Sequence, residues 1–292
     1  MDMNQVLAAE LNVKPWQVEA AVKLIDEGNT IPFISRYRKE ATGSLNDEIL
    51  RNLYDRLMYL RSLNDRKAVV LASIEEQGKL TAELKKSIEE AATLVVVEDL
   101  YRPYRPKRRT RATIAKEKGL EPLANIILLQ MTKEPLEKEA EAFVSEEKEV
   151  KTAKDAIAGA CDIIAESISD EADYRMEIRR RTEAKGLIVS TAKDEKAESV
   201  YENYYEFSEP VSKIAGHRVL ALNRGEKEKF LNVKIEAPTE EILRYLEKKI
   251  ITKENPQTKP VLQATVVAGK MHMVLLQTVW RHATMMVIWN FG

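Results

Sequence analysis

The sequence predicts a mainly α-helical protein: a multi-helical bundle with long helices, a helix-turn-helix-like element near the N-terminus, and a small mixed α/β segment after about residue 186. Only 10 glycines and 10 prolines interrupt its 292 residues. The stretches between them are rich in Ala, Glu, Lys, Leu and Arg, which are strong helix formers. Apolar residues recur at spacings of three and four, as one face of a helix requires.

The N-terminal third of the sequence predicts four helices. A helix over residues 16–27 is followed by Gly28-Asn29-Thr30 and a short second helix, which suggests a helix-turn-helix-like pair. The leucines at 50, 53, 57 and 60 lie on one face and indicate one long helix over residues 46–77, which Gly78 ends. A fourth helix is expected over residues 81–92.

The middle of the chain continues as helices up to Gly186. Pro122 predicts a helix start near Glu121, because proline at a first position costs no hydrogen bond, and another helix begins near Pro135. Apolar spacing predicts helices over residues 151–169 and 170–185. In the first of these, Cys161 is interpreted as a core residue.

After Gly186 the pattern changes to short strands and helices. Residues 187–189 and 231–235 are typical of strands. A helix is expected over residues 212–223, ending near Gly225, and Thr239 is predicted to cap a helix over residues 240–250. We therefore expect three regions: a helical domain over residues 1–200, a smaller mixed α/β or helical segment over 201–265, and an atypical tail over 266–292.

The tail is set apart by composition. It has no acidic residue, but it contains two of the three histidines, two of the three tryptophans and four of the nine methionines. One interpretation is a buried amphipathic element. The other, which we favour, is an expression artefact or a shifted reading frame.

Overall charge indicates no partner. The chain has 46 basic and 47 acidic residues, for a net charge of -1. Attraction to a polyanion would therefore have to come from local clusters. The N-terminal residues form no signal peptide and no apolar run is long enough to span a membrane, so we expect a bacterial cytoplasmic protein without membrane association.

The strongest cluster is the segment YRPYRPKRRTR over residues 101–111, which we call the proline–arginine loop. Its two prolines favour an extended path that displays the neighbouring side chains. Arginine forks suit phosphates and tyrosine rings suit stacked bases. The residues that we expect to contact nucleic acid are Tyr101, Arg102, Tyr104, Arg105, Lys107, Arg108, Arg109 and Arg111. Equally, the tyrosines could pack on the bundle and the arginines could pair with glutamates. Thr113 is predicted to cap a short helix that follows the loop and ends at Gly119.

Two further basic clusters are weaker candidates. Arg36, Arg38 and Lys39 follow the helix-turn-helix-like turn and could contact nucleic acid, while Phe33 and Tyr37 are expected to pack inward. The run Arg179-Arg180-Arg181 is interpreted as a solvated helix end, where positive charge opposes the helix dipole.

The sequence contains none of the common catalytic or cofactor-binding motifs that we considered. The sequence has no phosphate-binding loop, no dinucleotide fingerprint, and no His/Cys spacing suited to zinc. Cys161 lacks a nearby histidine in sequence to act as base. We therefore expect a non-enzyme without cofactor or metal.

Four stretches resemble the Tex family of transcription accessory proteins over roughly the first 265 residues. They are TIPFISRYRKEATG (30–43), EEQGKLT (75–81), DLYRPYRPKRRTRATIAKEKGLEPLA (99–124) and HRVLALNRGEKE (217–228). The resemblance implies a cytosolic transcription scaffold that associates non-specifically with RNA or DNA. It also implies that complete members continue into an RNase H-like domain, helix-hairpin-helix elements and an RNA-binding OB-fold. The alternative is a helical protein-interaction module that docks on RNA polymerase or the ribosome without touching nucleic acid.

Overall fold

The computed structural model describes residues 2–106 and 109–268. Contacts divide the chain into two compact units, the first ending at Tyr101 and the second beginning at Arg102. This division does not coincide with the boundary predicted near residue 200, and the three predicted regions stay a prediction. None of the described helices is long and apolar enough to cross a membrane.

The first unit is entirely helical among its described residues. Its helices are α1 (Met3–Leu11), α2 (Pro15–Asp26), α3 (Ile31–Tyr37), α4 (Lys39–Thr42), α5 (Asp47–Glu76), α6 (Ala82–Glu90) and α7 (Leu94–Tyr101). The predicted long helix is confirmed as α5, of 30 residues. Asn46 caps it by accepting from the backbone N–H of Ile49 at 2.8 Å. After its end Gly78 has a positive φ of 66°, which glycine adopts without strain.

The core of the first unit lies between α5 and the helices α1, α2 and α3. Leu50, Leu53 and Leu57 of α5 are buried together with Leu7 and Ile34. These residues sit at three- and four-residue spacings, so the same pattern that predicted α5 also positions α3 against it. Ile34 is fully buried and fixes which side of α3 faces the solvent.

The second unit contains eight helices and a small sheet among its described residues. The helices are α8 (Arg111–Glu117), α9 (Glu121–Leu129), α10 (Leu136–Glu141), α11 (Ala153–Asp170), α12 (Ala172–Lys185), α13 (Gly216–Lys227), α14 (Thr239–Ile250) and α15 (Lys259–Ala268). A 3-10 turn covers Glu202–Tyr204. The main core surrounds α11, where Ala156, Ala160 and Ile164 are buried against neighbouring helices. A side chain at Gly159 would collide with Leu120, so this glycine permits close packing.

The sheet has three antiparallel strands in the order β2-β1-β3. Strands β1 (Leu187–Ala192) and β3 (Leu231–Glu236) confirm the two predicted strands, and β2 (Glu206–Pro210) was not predicted. In the register, Ile188 pairs with Glu209 on one side and with Ile235 on the other. The buried side chains of Ile188, Leu222, Leu231 and Ile235 form a second, smaller core beneath the sheet.

Two predicted helix caps were wrong by a few residues. Thr110, not Thr113, caps α8: its hydroxyl accepts from the N–H of Thr113 at 3.0 Å. Thr239 is the first residue of α14 rather than its cap, and Pro238 precedes it. In both cases another residue close by, Thr110 or Pro238, occupies the cap position. The sequence alone does not fix a helix boundary to within one or two residues.

The helix predicted to end near Gly225 is α13, which continues through Gly225 and ends two residues later at Lys227. Gly225 is buried, and a Cβ there would lie 2.6 Å from Cδ1 of Leu231 and 3.1 Å from Cδ1 of Tyr201. Here glycine serves a close approach between helix and strand rather than a helix end.

Cys161 is a free, partly buried thiol on α11, and burial raises its pKa. The predicted tail begins inside α15, where Val266 is buried in the main core of the second unit. Residues 269–292 lie outside the described residues, so the interpretation of the tail stays a prediction.

Candidate nucleic-acid interface

The first candidate surface is formed by α3 and α4 of the first unit. Thr30 precedes α3 in an extended conformation, and Pro32 in its first turn favours the helical start. Ile34 anchors the helix to the core, while Arg36, Arg38 and Lys39 are exposed. We call Arg36, Arg38, Lys39, Phe33 and Tyr37 the α3–α4 surface.

The two aromatic rings of this surface face outward. The exposed fraction is 36% for Phe33 and 66% for Tyr37, so the prediction that they pack inward was wrong. Their centroids lie 5.3 Å apart, and the guanidinium carbon of Arg38 lies 5.2 Å above the Phe33 ring. Residues four apart lie on the same face of a helix, whether that face is buried or exposed. In α3 the buried face is occupied by Ile34, so the two rings share an exposed face.

The cations of this surface are not neutralised by carboxylates. Among the described residues, Arg36, Arg38 and Lys39 make no ion pair, and Glu40 is the only acid between residues 30 and 43. Three unpaired cations and one acid leave a local excess of two positive charges. Cations without carboxylate partners can bind phosphate without first breaking an ion pair.

A hydrogen-bonded anchor holds α4 in position. The amide nitrogen of Gln17 donates to the carbonyls of Thr42 and Gly43, at 3.1 Å each. Its oxygen accepts from the N–H of Lys14 at 3.0 Å. Sequence reasoning missed this anchor and the neighbouring Trp16, which is 48% exposed, because 25 or more residues separate the partners.

The proline–arginine loop has its cations in three different environments. At its start Tyr101 is buried in the first unit, where its hydroxyl lies 2.9 Å from that of Ser73 and the Arg66 guanidinium covers its ring at 5.4 Å. The ring is therefore packed within the first unit, and its predicted stacking role stays a prediction.

Arg102 is held by a buried partner in the second unit. Its Nε donates to Oδ1 of Asp170 at 3.0 Å, and the side chain of Asp170 is only 11% exposed. Breaking such a pair would leave a buried carboxylate without this donor. The structure thus places Arg102 in an ion pair with Asp170, and its predicted phosphate contact stays a prediction.

The rest of the loop is more accessible. Arg105 is exposed and makes no ion pair among the described residues, while Tyr104 is partly buried and has interactions of its own. Arg109 donates to Glu117 at 2.8 Å and Arg111 lies 4.0 Å from Asp162, but both arginines are about 70% exposed. Such exposed pairs are worth only about 0.2–1 kcal/mol and can be exchanged for phosphate. Lys107 and Arg108 lie outside the described residues.

The run Arg179-Arg180-Arg181 is not a simple solvated helix end. Arg179 is buried at 7% exposure, and α12 continues beyond the run to Lys185. Glu177 accepts from Arg180 and from Arg181, each at 2.8 Å. The hydrogen bonds from these two guanidinium groups lower the pKa of Glu177 to about 2, and the bond from Arg180 has the larger effect.

No group of three or more His, Cys, Asp or Glu side chains suited to a metal ion occurs within the part of the chain that the structure describes. Each unit has its own cationic surface among the described residues: the α3–α4 surface, with its two aromatic rings, in the first unit, and the accessible arginines of the loop in the second. Such surfaces hold phosphate by charge and bases by stacking.

Comparisons with known proteins match both parts of the chain. The family model described as the Tex-like protein N-terminal domain matches residues 1–75, and that of the Tex central region-like family matches residues 130–283. The second match therefore extends into the compositionally atypical tail.

Relatives similar to this chain occur in bacteria and in humans. An uncharacterized Bacillus subtilis protein, YdcI, is 48% identical over 267 residues, which is 90% of this chain and 37% of that protein. The transcriptional accessory protein Tex of Neisseria gonorrhoeae is 43% identical over 80% of this chain and 31% of its own length. The human S1 RNA-binding domain-containing protein 1 is 31% identical over 80% of this chain and 24% of its own length.

The chain thus spans about a third of the length of these two bacterial relatives. The resemblance read from the four sequence stretches agrees with both family models and with these relatives. The chain belongs to the Tex family of transcription accessory proteins.

Proposed function

We propose that this chain is a nucleic-acid-associated transcription accessory scaffold that binds RNA or DNA without sequence preference and performs no chemistry itself. The observation that supports this most directly is the α3–α4 surface. It combines three exposed cations, free of ion pairs among the described residues, with two outward aromatic rings. Cations beside stacking platforms are typical of non-specific single-strand binding.

The proline–arginine loop supplies a second contact in this proposal. Arg105 is exposed, Arg109 and Arg111 hold only exposed partners, and Lys107 and Arg108 are expected from sequence to contribute. Tyr101 and Arg102 are not included, because Tyr101 is buried and Arg102 is paired with Asp170. The name of the human relative refers to RNA binding, which agrees with a nucleic-acid partner.

The test is the affinity of the purified chain for a fluorescently labelled single-stranded RNA and for duplex DNA of equal length. We expect the triple variant Arg36→Ala, Arg38→Ala, Lys39→Ala to bind at least about tenfold more weakly at low salt, because phosphate contacts dominate non-specific affinity. The matched control is Lys23→Ala, Lys79→Ala, Lys85→Ala, which removes the same charge from exposed positions of the same unit.

Equal loss of affinity in both triple variants would show that only overall charge matters. Loss of affinity together with an early melting transition in the first variant would show that the residues are structural. Either result, or a wild-type chain that binds neither nucleic acid, would contradict the proposal.

A second candidate, a module that docks on RNA polymerase or the ribosome, is supported by a different observation. At the end of α9, Leu129 is 60% exposed and Met131 is 68% exposed. Neighbouring apolar side chains in solvent are typical of protein interfaces. Replacing both with Ser should abolish co-sedimentation with purified polymerase or ribosomes if this candidate is correct, and leave RNA affinity unchanged.

A further inference from the structure

A groove in the second unit has chemistry that the proposed function does not use. It lies between α12 and α14 and has a volume of about 580 Å³, within the range of ligand-binding clefts. Its lining consists of Arg181, Glu241, Arg244, Tyr245, Lys248 and Lys249. Four of these six side chains are cationic and one is acidic.

The spacing of the lining residues forms a track along α14. Residues 241, 244, 245, 248 and 249 follow the three-four rhythm of one helix face, so they lie on the same side over two turns. A rise of 1.5 Å per residue separates Arg244 from Lys248 by roughly 6 Å. A row of this kind can contact successive charges of one ligand, whereas a site for a single anion would bring its cations to one point.

The floor of the groove is held in place by Arg181. Its Nε donates to Glu177 at 2.8 Å, and its guanidinium carbon lies 4.9 Å over the Tyr245 ring. Tyr174 meets Tyr245 edge to face, with the centroids 6.2 Å apart. Arg181 is 26% exposed and is held between the carboxylates of Glu177 and Glu241, so its position in the groove is fixed.

The rim cations can accept a new partner. Lys248 and Lys249 are exposed and make no ion pair among the described residues, and Arg244 holds only the exposed Glu240, at 3.1 Å. The single acid of the lining, Glu241, accepts from Lys185, whose ammonium group lies 2.6 Å and 2.9 Å from its two oxygens, and also lies 3.9 Å from Arg181. The groove therefore retains a positive excess.

We infer that the α12–α14 groove binds consecutive phosphates of a nucleic-acid strand through Arg181, Arg244, Lys248 and Lys249. An acidic peptide is less well suited, because tight peptide recognition depends on buried aromatic or aliphatic anchors. The lining has no aliphatic side chain, and Arg181 covers a face of its only ring. Affinity for a phosphate backbone needs no such anchor, because it comes from counterion release.

This inference rests on the proposed function and adds a binding site in the second unit. The test uses the full chain and a labelled single-stranded RNA in a salt titration. The variant Arg244→Gln, Lys248→Gln, Lys249→Gln removes three charges and retains good helix formers. The control Lys133→Gln, Lys151→Gln, Lys154→Gln removes three exposed charges of the same unit outside the groove.

We expect the groove variant to flatten the slope of log K against log salt by about 2, since each single-strand phosphate contributes about 0.7, and the control to keep the wild-type slope. Circular dichroism melting should be unchanged in both. If the wild type binds RNA and the groove variant retains its slope, the inference fails while the proposed function stands.

Two competition arms identify other occupants. If millimolar ATP displaces RNA from the wild type but not from the groove variant, the groove is a nucleotide site rather than a strand site, and the inference is overturned. If poly-glutamate displaces RNA from the wild type but not from the groove variant, the groove binds an acidic protein partner, and the inference is likewise overturned. If the wild type binds no nucleic acid at all, both the proposed function and this inference fail.

Discussion

The guanidinium of Arg102 and the carboxylate of Asp170 are joined by a hydrogen bond of 3.0 Å between residues 68 positions apart. The pair ties the first residue of the second unit to the last residue of α11. All the arginines of the proline–arginine loop look suited to phosphate in the sequence, but Arg102 is paired with a carboxylate of its own unit. Arg105, three residues further, has no such partner among the described residues.

Replacing Arg102 with Ala should therefore lower stability and leave nucleic-acid binding nearly intact. A buried carboxylate that loses a charged donor costs about 1–3 kcal/mol, and Asp170 keeps other interactions that limit the loss. Urea unfolding measures the change in the free energy of unfolding. Arg105→Ala is the control and should change it by less than about 0.5 kcal/mol. Equal stability of the two variants would remove the structural role of Arg102.

Gly225→Ala should destabilise the protein although alanine is the better helix former. The added methyl group would lie 2.6 Å from Cδ1 of Leu231, and overpacking of this kind costs about 1–3 kcal/mol, more than the gain in helix propensity of about 1 kcal/mol. Thermal melting should show the loss, whereas Arg224→Ala, at the exposed neighbouring position, should melt like the wild type. An increase in melting temperature for Gly225→Ala would show that the helix and strand are not packed so closely.

The ion pairs of Glu177 should make part of the stability depend on pH. Its pKa in the folded protein is about 2, below the ordinary 4.5, so its stabilising effect is complete above pH 4.5 and is lost as the pH falls toward 2. The difference in the free energy of unfolding between wild type and Glu177→Gln should therefore shrink over this interval. Glu183→Gln, on the same helix, is the control. A difference that stays constant with pH would mean that the pKa is not lowered.

Tyr37→Ala should weaken binding to single-stranded RNA without affecting the fold. The ring is 66% exposed, so little packing is lost, while a stacked base contributes about 1–3 kcal/mol, or at least about fivefold in affinity. Tyr54, which is 40% exposed on α5, provides the control substitution Tyr54→Ala. Fluorescence anisotropy at fixed salt measures both. If the two variants bind alike, Tyr37 does not stack on bases.

Most of the helical fold could be predicted from the sequence because its signals are local. The leucines of α5 repeat at helical spacing, and its cap Asn46 and the following Gly78 adjoin its ends. Strand β2 could not be predicted, because Phe207 is its only large apolar residue and Pro210 ends it. Its position is set by pairing with β1, which lies some twenty residues earlier in the chain.

The candidate site was less predictable, because its chemistry depends on distant partners. The residues of the proline–arginine loop look alike in sequence, yet Ser73 binds Tyr101 and Asp170 binds Arg102. Conversely, Phe33 and Tyr37 have the spacing of core residues but lie outside, because Ile34 fills the inward side of α3. Local patterns give residue types and spacing, whereas the availability of a side chain depends on tertiary contacts.

The salt dependence of RNA binding by the wild type and by the variant Arg36→Ala, Arg38→Ala, Lys39→Ala tests the central claim most directly. If these three cations contact phosphate in a single strand, the slope of log K against log salt should be about 2 units shallower in the variant, because about 0.7 is lost with each phosphate contact. An unchanged slope, with the variant still folded, would contradict the account.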